Sequence, residues 1–181
     1  VKYIPITKDS IYTHSNSARD AILNYIYNSG NTELVLGKHI FIQGSPVLKI
    51  NKGIFIGRLS GIAAHYVPKY LQKNRVPSWE TNSIEDWELK IQTIVDETIN
   101  ENMTVIAGIP SWVQMYFEKI NERVKKKTGD QFKKFSLFVY GGVNFEPYKS
   151  TFNNLIGRKV DSIELYPASE GFFAYQDVLL D

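Results

Sequence analysis

The chain has 181 residues, a net charge of +2 and a hydrophobic content of 43%. This length suits a domain with a substantial core, and the composition is ordinary for a globular protein. The small net charge predicts no strong attraction to nucleic acid, and no apolar run approaches the ~20 residues of a membrane span. Because cysteine is absent, thiolate chemistry is excluded, and a cytoplasmic location is expected.

The first hundred residues predict strands and helices in mixed order. A strand is expected over residues 1–6. Thr7 can cap a helix that continues to residue 28, because its side-chain oxygen can accept a first-turn amide. A buried strand is expected at residues 39–43. Two short apolar runs flank Asn51-Lys52-Gly53, which is typical of a β-hairpin and predicts one near residues 46–57.

Helical and strand patterns alternate in the second half of the chain. Helices are predicted at residues 83–100, 110–127 and 147–156, and strands at residues 103–107, 135–140 and 160–165. Such alternation is typical of crossover connections between parallel strands. The sequence therefore predicts an α/β fold with a mainly parallel sheet flanked by helices. The strands ending at Ala107, Tyr140 and Leu165 are expected to be neighbours.

Three turns follow these predicted strands, at residues 108–110, 141–143 and 166–170. The carboxyl ends of parallel strands meet at one edge of a sheet, where ligands bind in open α/β folds. Gly141 and Gly142 would let a flat ligand approach the backbone, because no Cβ stands in the way. The sequence therefore predicts a ligand site at this edge.

The last of these turns carries three kinds of functional group. Tyr166 offers a ring for stacking on a base, Ser169 a hydroxyl for a phosphate oxygen, and Glu170 a hard oxygen ligand for Mg²⁺. The alternative is a plain turn, in which Pro167 and Gly171 shape the backbone while Ser169 and Glu170 face water. Residue types alone leave both interpretations open.

The three histidines, His14, His39 and His65, show no metal-ligand spacing. Each is expected to be a hydrogen-bonded residue that is partly buried or at the surface. The run of lysines at 125–127 is expected to be a solvated helix end, where cations face the negative end of the helix dipole.

Four motifs together resemble one family. They are K-Y-I-P-I-T at residues 2–7, G-I-P-S-W-V at 108–113, Y-G-G-V-N-F-E-P-Y at 140–148 and Y-P-A-S-E-G-F-F at 166–173. In this order they resemble bacterial members of the auxin-responsive promoter family, the acyl-acid amido synthetases of the adenylate-forming superfamily, which includes firefly luciferase and acyl-CoA synthetases. The resemblance covers nearly the whole chain, and the last two motifs are the specific ones.

The resemblance implies an ATP-dependent ligase that uses Mg²⁺. Such an enzyme activates a carboxylic acid as an acyl-adenylate and transfers the acyl group to an amine or amino acid. By position, Tyr166 would stack on adenine, Ser169 would approach the α-phosphate, and Glu170 would bind Mg²⁺. Gly141, Gly142 and Val143 would line the adenine and acyl side. The family often has Ala-Ser-Ser-Glu where this chain has Pro-Ala-Ser-Glu, so Pro167 is a departure that leaves the matched positions intact.

The resemblance also implies that this chain is part of an N-terminal adenylation domain. Residues 1–100 would belong to first-subdomain elements and an insertion, and residues 101–181 to the parallel α/β subdomain with the nucleotide motif. The phosphate loop, the ribose-binding acid and the C-terminal domain are expected outside residues 1–181, so the isolated chain is expected to be inactive. The alternative function is a non-catalytic α/β module that binds a nucleotide or a protein partner.

Overall fold

The computed structural model describes residues 3–179, and its centre is a six-stranded sheet. Its strands are β1 (Lys38–Ile42), β4 (Arg75–Val76), β5 (Met103–Gly108), β6 (Leu137–Gly141), β7 (Asp161–Ala168) and β8 (Gly171–Tyr175). Their order is β4-β1-β5-β6-β7-β8. Every pair is parallel except β7 and β8, which are antiparallel. The mainly parallel sheet is confirmed, and β5, β6 and β7 are neighbours as predicted.

Helices cover both faces of this sheet. They are α1 (Lys8–Ser29), α2 (Leu59–Ala64), α3 (Lys69–Gln72), α4 (Trp79–Ser83), α5 (Trp87–Thr98), α6 (Pro110–Val124), α7 (Thr128–Gln131) and α8 (Glu146–Ile156), with a 3₁₀ turn at Glu33–Leu36. The Thr7 side chain caps α1 as predicted, accepting from the Ser10 amide at 3.1 Å. Pro110 stands in the first turn of α6, where a missing amide costs no hydrogen bond. Among residues 3–179, no helix is both long and apolar enough to cross a membrane.

Two apolar clusters hold the layers together. The larger joins α5, α6 and α8 to one face of the sheet, with the aromatic residues Tyr116, Phe117, Phe135, Phe138 and Phe152 fully buried within it. The smaller joins α1 to the other face, through Ala21, Tyr25, Leu34, Val105, Leu137, Val139 and Ile163. Because residues of a strand alternate between faces, β5 and β6 contribute to both clusters and lie at the centre of the fold.

The predicted hairpin is confirmed. It consists of β2 (Lys49–Asn51) and β3 (Ile54–Ile56), which pair antiparallel. Lys52 and Gly53 connect them, with φ of 49° and 79°. Positive φ at both central residues suits the right-handed twist of the strands, which is why asparagine and glycine predict such turns.

Several predicted boundaries are wrong. Residues 3–6 lie outside the sheet, and the rest of the predicted first strand lies outside the described residues; Pro5 has no amide to donate to a ladder. α6 ends at Val124 because Lys125 adopts a left-handed conformation with φ of 56°, so the lysine run follows the helix. The helix predicted from residue 83 begins at Trp87, because its cap is Asp86, which accepts from the Leu89 amide at 2.8 Å.

The strand predicted to stop before Pro167 continues to Ala168. The register with β8 shifts between Tyr166 and Pro167. Tyr166 pairs with Ala174 and Pro167 with Phe172, so the residue left out of the ladder is Phe173 on β8. A proline is tolerated at such a bulge, where the regular ladder is interrupted.

The six strands come from both predicted parts of the chain. β1 and β4 lie within the first hundred residues, yet they join the same sheet as β5 to β8. The division at residue 100 therefore does not coincide with separate sheets, and the assignment of the two parts to subdomains stays a prediction.

A buried lysine lies beside the end of β1. Lys90 is only 2% exposed, and its Nζ donates to the carbonyl oxygens of Gln43 at 2.9 Å and Asn82 at 2.6 Å. Burial, and next the charge of Arg58, lower the pKa of Lys90 to about 8. Removal from water is the main cause because it disfavours the charged form of the amine.

This pKa predicts a pH-dependent stability. The unfolded value is about 10.4, so between about pH 8 and that value the unfolded chain binds more protons and the free energy of unfolding rises with pH. We expect wild type to gain stability relative to Lys90→Met across this interval, measured by urea unfolding at several pH values. If the difference in the free energy of unfolding between the two proteins is the same at every pH in this interval, Lys90 keeps an ordinary pKa.

Candidate functional site

The predicted site residues lie at the carboxyl ends of three adjacent parallel strands. β5 ends at Gly108 and β6 at Gly141, which pairs with Leu165 on β7. Tyr166 is the next residue along β7. The strand order therefore brings Gly141 and Tyr166 to neighbouring positions at one edge of the sheet.

The two glycines after β6 have different roles. A Cβ on Gly141 would lie 2.3 Å from the carbonyl oxygen of Leu165, so its missing side chain lets β6 approach β7. Gly142 has φ of +84°, and nothing lies within 4 Å of the place where its Cβ would be. Of the two glycines, only Gly142 therefore has open space at its Cβ position, and ligand binding at either one stays a prediction. Val143 follows, 41% exposed.

The side chain of Tyr166 is exposed at 60% of its full area. Its ring centroid lies 5.3 Å from that of Phe173 on β8, with the planes tilted by 45°. The ring is thus supported on one side and remains largely accessible. An accessible aromatic face of this kind can stack on a flat ligand.

Ser169 and Glu170 form the tip of the β7–β8 hairpin. Ala168 pairs with Gly171, and the two residues between them make the turn. β7 extends three residues beyond Leu165, the partner of the last residue of β6, and three residues of strand span roughly 10 Å. Tyr166 and Glu170 are therefore separated along the strand rather than clustered. Ser169 is partly exposed and Glu170 is exposed.

Glu170 fits a Mg²⁺ site only in combination with other oxygen ligands. Among the residues described, no three histidine, aspartate or glutamate side chains come together as a metal site. Mg²⁺ is commonly held by one or two carboxylates, water and substrate phosphates. A single exposed carboxylate at the hairpin tip matches that chemistry.

A groove of about 950 Å³ runs along β7 from the same edge. It is lined by Phe145 just before α8, by Glu146, Lys149 and Phe152 on α8, by Phe138 and Tyr140 on β6, and by Ser162, Glu164, Tyr166 and Ala174 on β7 and β8. The sequence did not predict this groove, because it forms where α8 covers β6 and leaves the adjacent face of β7 and β8 open.

Tyr140 is one of the aromatic residues that line the groove. Its ring packs 5.4 Å from Phe138 and 4.8 Å from Phe145. Burial raises the pKa of Tyr140, and the nearby carboxylates of Glu164 and Glu146 add to the effect. The phenol therefore stays protonated at neutral pH and is able to donate a hydrogen bond.

All three histidines have polar partners, as predicted. A ring nitrogen of His39 lies 3.0 Å from the Leu34 carbonyl oxygen, and burial lowers the pKa of this ring. His65 contacts the Pro46 carbonyl oxygen at 2.9 Å. His14 contacts the carbonyl oxygens of Ser10 and Ala168. The last contact reaches the predicted site, and no spacing in the sequence indicates it because the two residues are 154 positions apart.

No protein-family model and no curated protein matches this chain. The family resemblance of the four motifs therefore stays a prediction.

Proposed function

We propose that this chain is the nucleotide-binding part of an ATP-dependent acyl-acid amido synthetase. One observation carries the proposal: the accessible ring of Tyr166 and the open backbone at Gly142 directly follow the paired residues Leu165 and Gly141, at the carboxyl edge of parallel strands. A purine base needs a ring face and an unobstructed backbone, and this edge of an open α/β sheet is the usual place for such a ligand.

The proposed binding mode follows the direction of β7. The base stacks on Tyr166 and passes over Gly142. The phosphates then point along the strand towards the hairpin tip, where the Ser169 hydroxyl donates to an oxygen of the α-phosphate. The exposed carboxylate of Glu170 would hold Mg²⁺, which would supply neutralisation of the phosphate charge when bound.

The proposed reaction has two steps. A carboxylate oxygen of the acid attacks the α-phosphorus, and the bond to the pyrophosphate oxygen breaks. An amine nitrogen then attacks the acyl carbon, loses a proton, and AMP leaves. Both steps depend on holding the nucleophile and the electrophile in line. In this proposal, Tyr166, Ser169 and Glu170 contribute position and charge rather than a covalent bond.

Tyr166 is expected to bind ATP through its ring and not through its hydroxyl. We expect Tyr166→Ala to weaken ATP·Mg²⁺ binding about tenfold or more, since stacking of a base on an aromatic residue is worth about 1–3 kcal/mol. Tyr166→Phe should remain close to wild type. Both variants can be measured by calorimetric titration.

Tyr27→Ala provides a matched control. Tyr27 is an exposed tyrosine on α1, away from the proposed site, and its replacement should leave ATP affinity unchanged. If Tyr166→Phe binds as poorly as Tyr166→Ala, the hydroxyl is the important group and the stacking role is wrong.

The choice between an enzyme and a non-catalytic binding module rests on turnover. ATP–pyrophosphate exchange by the full-length gene product, over a panel of carboxylic acids, would support the ligase. ATP binding without exchange for any acid would favour the binding module. A glycine- and serine-rich phosphate loop encoded just before residue 1 would also favour the ligase.

A further inference from the structure

The buried side chain of His14 joins α1 to the end of β7. It is 7% exposed. Its Nε2 lies 3.0 Å from the carbonyl oxygen of Ala168, and its Nδ1 lies 2.7 Å from that of Ser10, one turn earlier on α1. The ring also contacts Phe172 edge-on, with centroids 5.9 Å apart. Ala168 directly precedes Ser169 and Glu170, so His14 binds the backbone at the base of the proposed phosphate-binding turn.

The backbone of this turn differs from that of the most common two-residue hairpin turns. Two-residue hairpin turns usually require positive φ at one or both central residues, because other turns splay the strands. Neither Ser169 nor Glu170 has positive φ, and neither does Gly171. The ladder is also interrupted by the register shift at Pro167. A contact from outside the hairpin can therefore add to the order of this turn.

The hairpin tip extends beyond the end of β6. β6 ends opposite Leu165, so β7 continues to Ala168 with β8 as its partner in the sheet. His14 supplies a polar contact from α1 at this point. A second polar contact joins the same two elements near the other end of β7, where the Tyr25 hydroxyl donates to Asp161 at 2.9 Å.

The imidazole ring suits this bridging role. A neutral ring has one N–H and can donate to one carbonyl, whereas a protonated ring donates to both. In either form the ring reaches from the helix backbone to the strand backbone. A donation to the Ala168 carbonyl fixes the peptide unit from which the turn starts.

We propose that His14 is a positioning residue that orders the turn carrying Ser169 and Glu170. The importance of that order for ATP rests on the proposed function, but the ordering itself does not. The competing explanation is that His14 only fills space against Phe172. The two explanations predict different outcomes for two kinds of His14 variant. One kind keeps the volume of the side chain, and the other keeps a hydrogen-bond donor for the Ala168 carbonyl oxygen.

Three replacements separate these roles. His14→Gln places an amide nitrogen near the position of Nε2 and retains a donor for Ala168. His14→Asn places its amide near Nδ1, so it can bond Ser10 within the helix but does not reach Ala168. His14→Phe keeps the ring and removes both donors. Tyr25→Phe is the matched control, because it removes the other hydrogen bond between α1 and β7, far from the turn.

The first readout is backbone order at residues 169–171, measured by ¹⁵N relaxation. We expect order parameters typical of rigid backbone, about 0.85, in wild type, His14→Gln and Tyr25→Phe, and values below about 0.6 in His14→Asn and His14→Phe. The second readout is ATP·Mg²⁺ affinity. The Asn and Phe variants should lose about tenfold, the cost of one hydrogen bond, while the Gln variant stays within about threefold of wild type.

Each outcome bears on a different claim. The positioning role would be overturned if the turn stays rigid in His14→Asn and His14→Phe. It would also be overturned if the turn in His14→Gln is as mobile as in those two variants. Rescue of turn order by His14→Gln supports it. If wild type binds no ATP while the relaxation data follow the expected pattern, the proposed function fails and the positioning role stands.

Discussion

Replacing Gly141 by alanine is expected to destabilise the protein by about 3 kcal/mol, the upper part of the range for inserting a methyl group into a closely packed region. The added Cβ would lie 2.3 Å from the Leu165 carbonyl oxygen. That atom belongs to the backbone of β7, so β6 and β7 must separate. Separation displaces Tyr166, and ATP binding should be lost together with stability. Urea unfolding and ATP titration on the same samples measure both effects.

Gly142→Ala is the matched comparison. Its added Cβ meets no atom within 4 Å, and the penalty comes only from φ of +84°. A left-handed conformation costs a residue with a side chain about 1 kcal/mol. A smaller loss of stability than in Gly141→Ala is therefore expected. Equal losses in the two variants would contradict the close contact between β6 and β7.

Glu170→Gln should reduce adenylation in the full-length protein by about 10²–10³-fold, in line with the loss of one electrostatic stabiliser of a phosphoryl-transfer transition state. The substitution keeps the shape of the side chain and removes the charge that a hard cation requires. Because Glu170 is exposed at a hairpin tip, the melting temperature should barely change. ATP–pyrophosphate exchange and thermal melting measure the two properties side by side.

Glu88→Gln is a suitable control, because Glu88 is an exposed glutamate in the first turn of α5. Its exchange activity should equal that of wild type. Full exchange activity in Glu170→Gln would show that Glu170 is an ordinary surface residue of the turn.

Local chemistry explains why part of this structure could be predicted from the sequence. Thr7 indicates a helix start because its side chain accepts a hydrogen bond from an amide that the first turn leaves free. Pro110 indicates one because it has no amide hydrogen, and the first turn needs none there. Asn51-Lys52-Gly53 indicates the hairpin because its turn requires positive φ, which Lys52 and Gly53 adopt. The alternation of helices and strands predicts that β5, β6 and β7 are adjacent, and with that the meeting of Gly141 and Tyr166 at one edge.

Other features depend on tertiary contacts. β4 has only two residues, too few to show a pattern, and its place beside β1 comes from pairing. The extension of β7 past Pro167 depends on a bulge against β8. The contact between His14 and Ala168 joins distant parts of the chain, so a single histidine in a helix gives no signal of it. The separate roles of Gly141 and Gly142 depend on how closely β6 approaches β7.

The most direct test of the proposed site is an NMR titration of residues 1–181 with ATP and Mg²⁺, followed through backbone amide shifts. We predict weak binding, millimolar or worse, with shift changes concentrated at Gly142, Tyr166, Ser169 and Glu170. Tyr166→Ala should abolish these changes, and Tyr27→Ala should preserve them. No shift changes at saturating nucleotide, or changes confined to residues away from the carboxyl ends of β6 and β7, would contradict the nucleotide site.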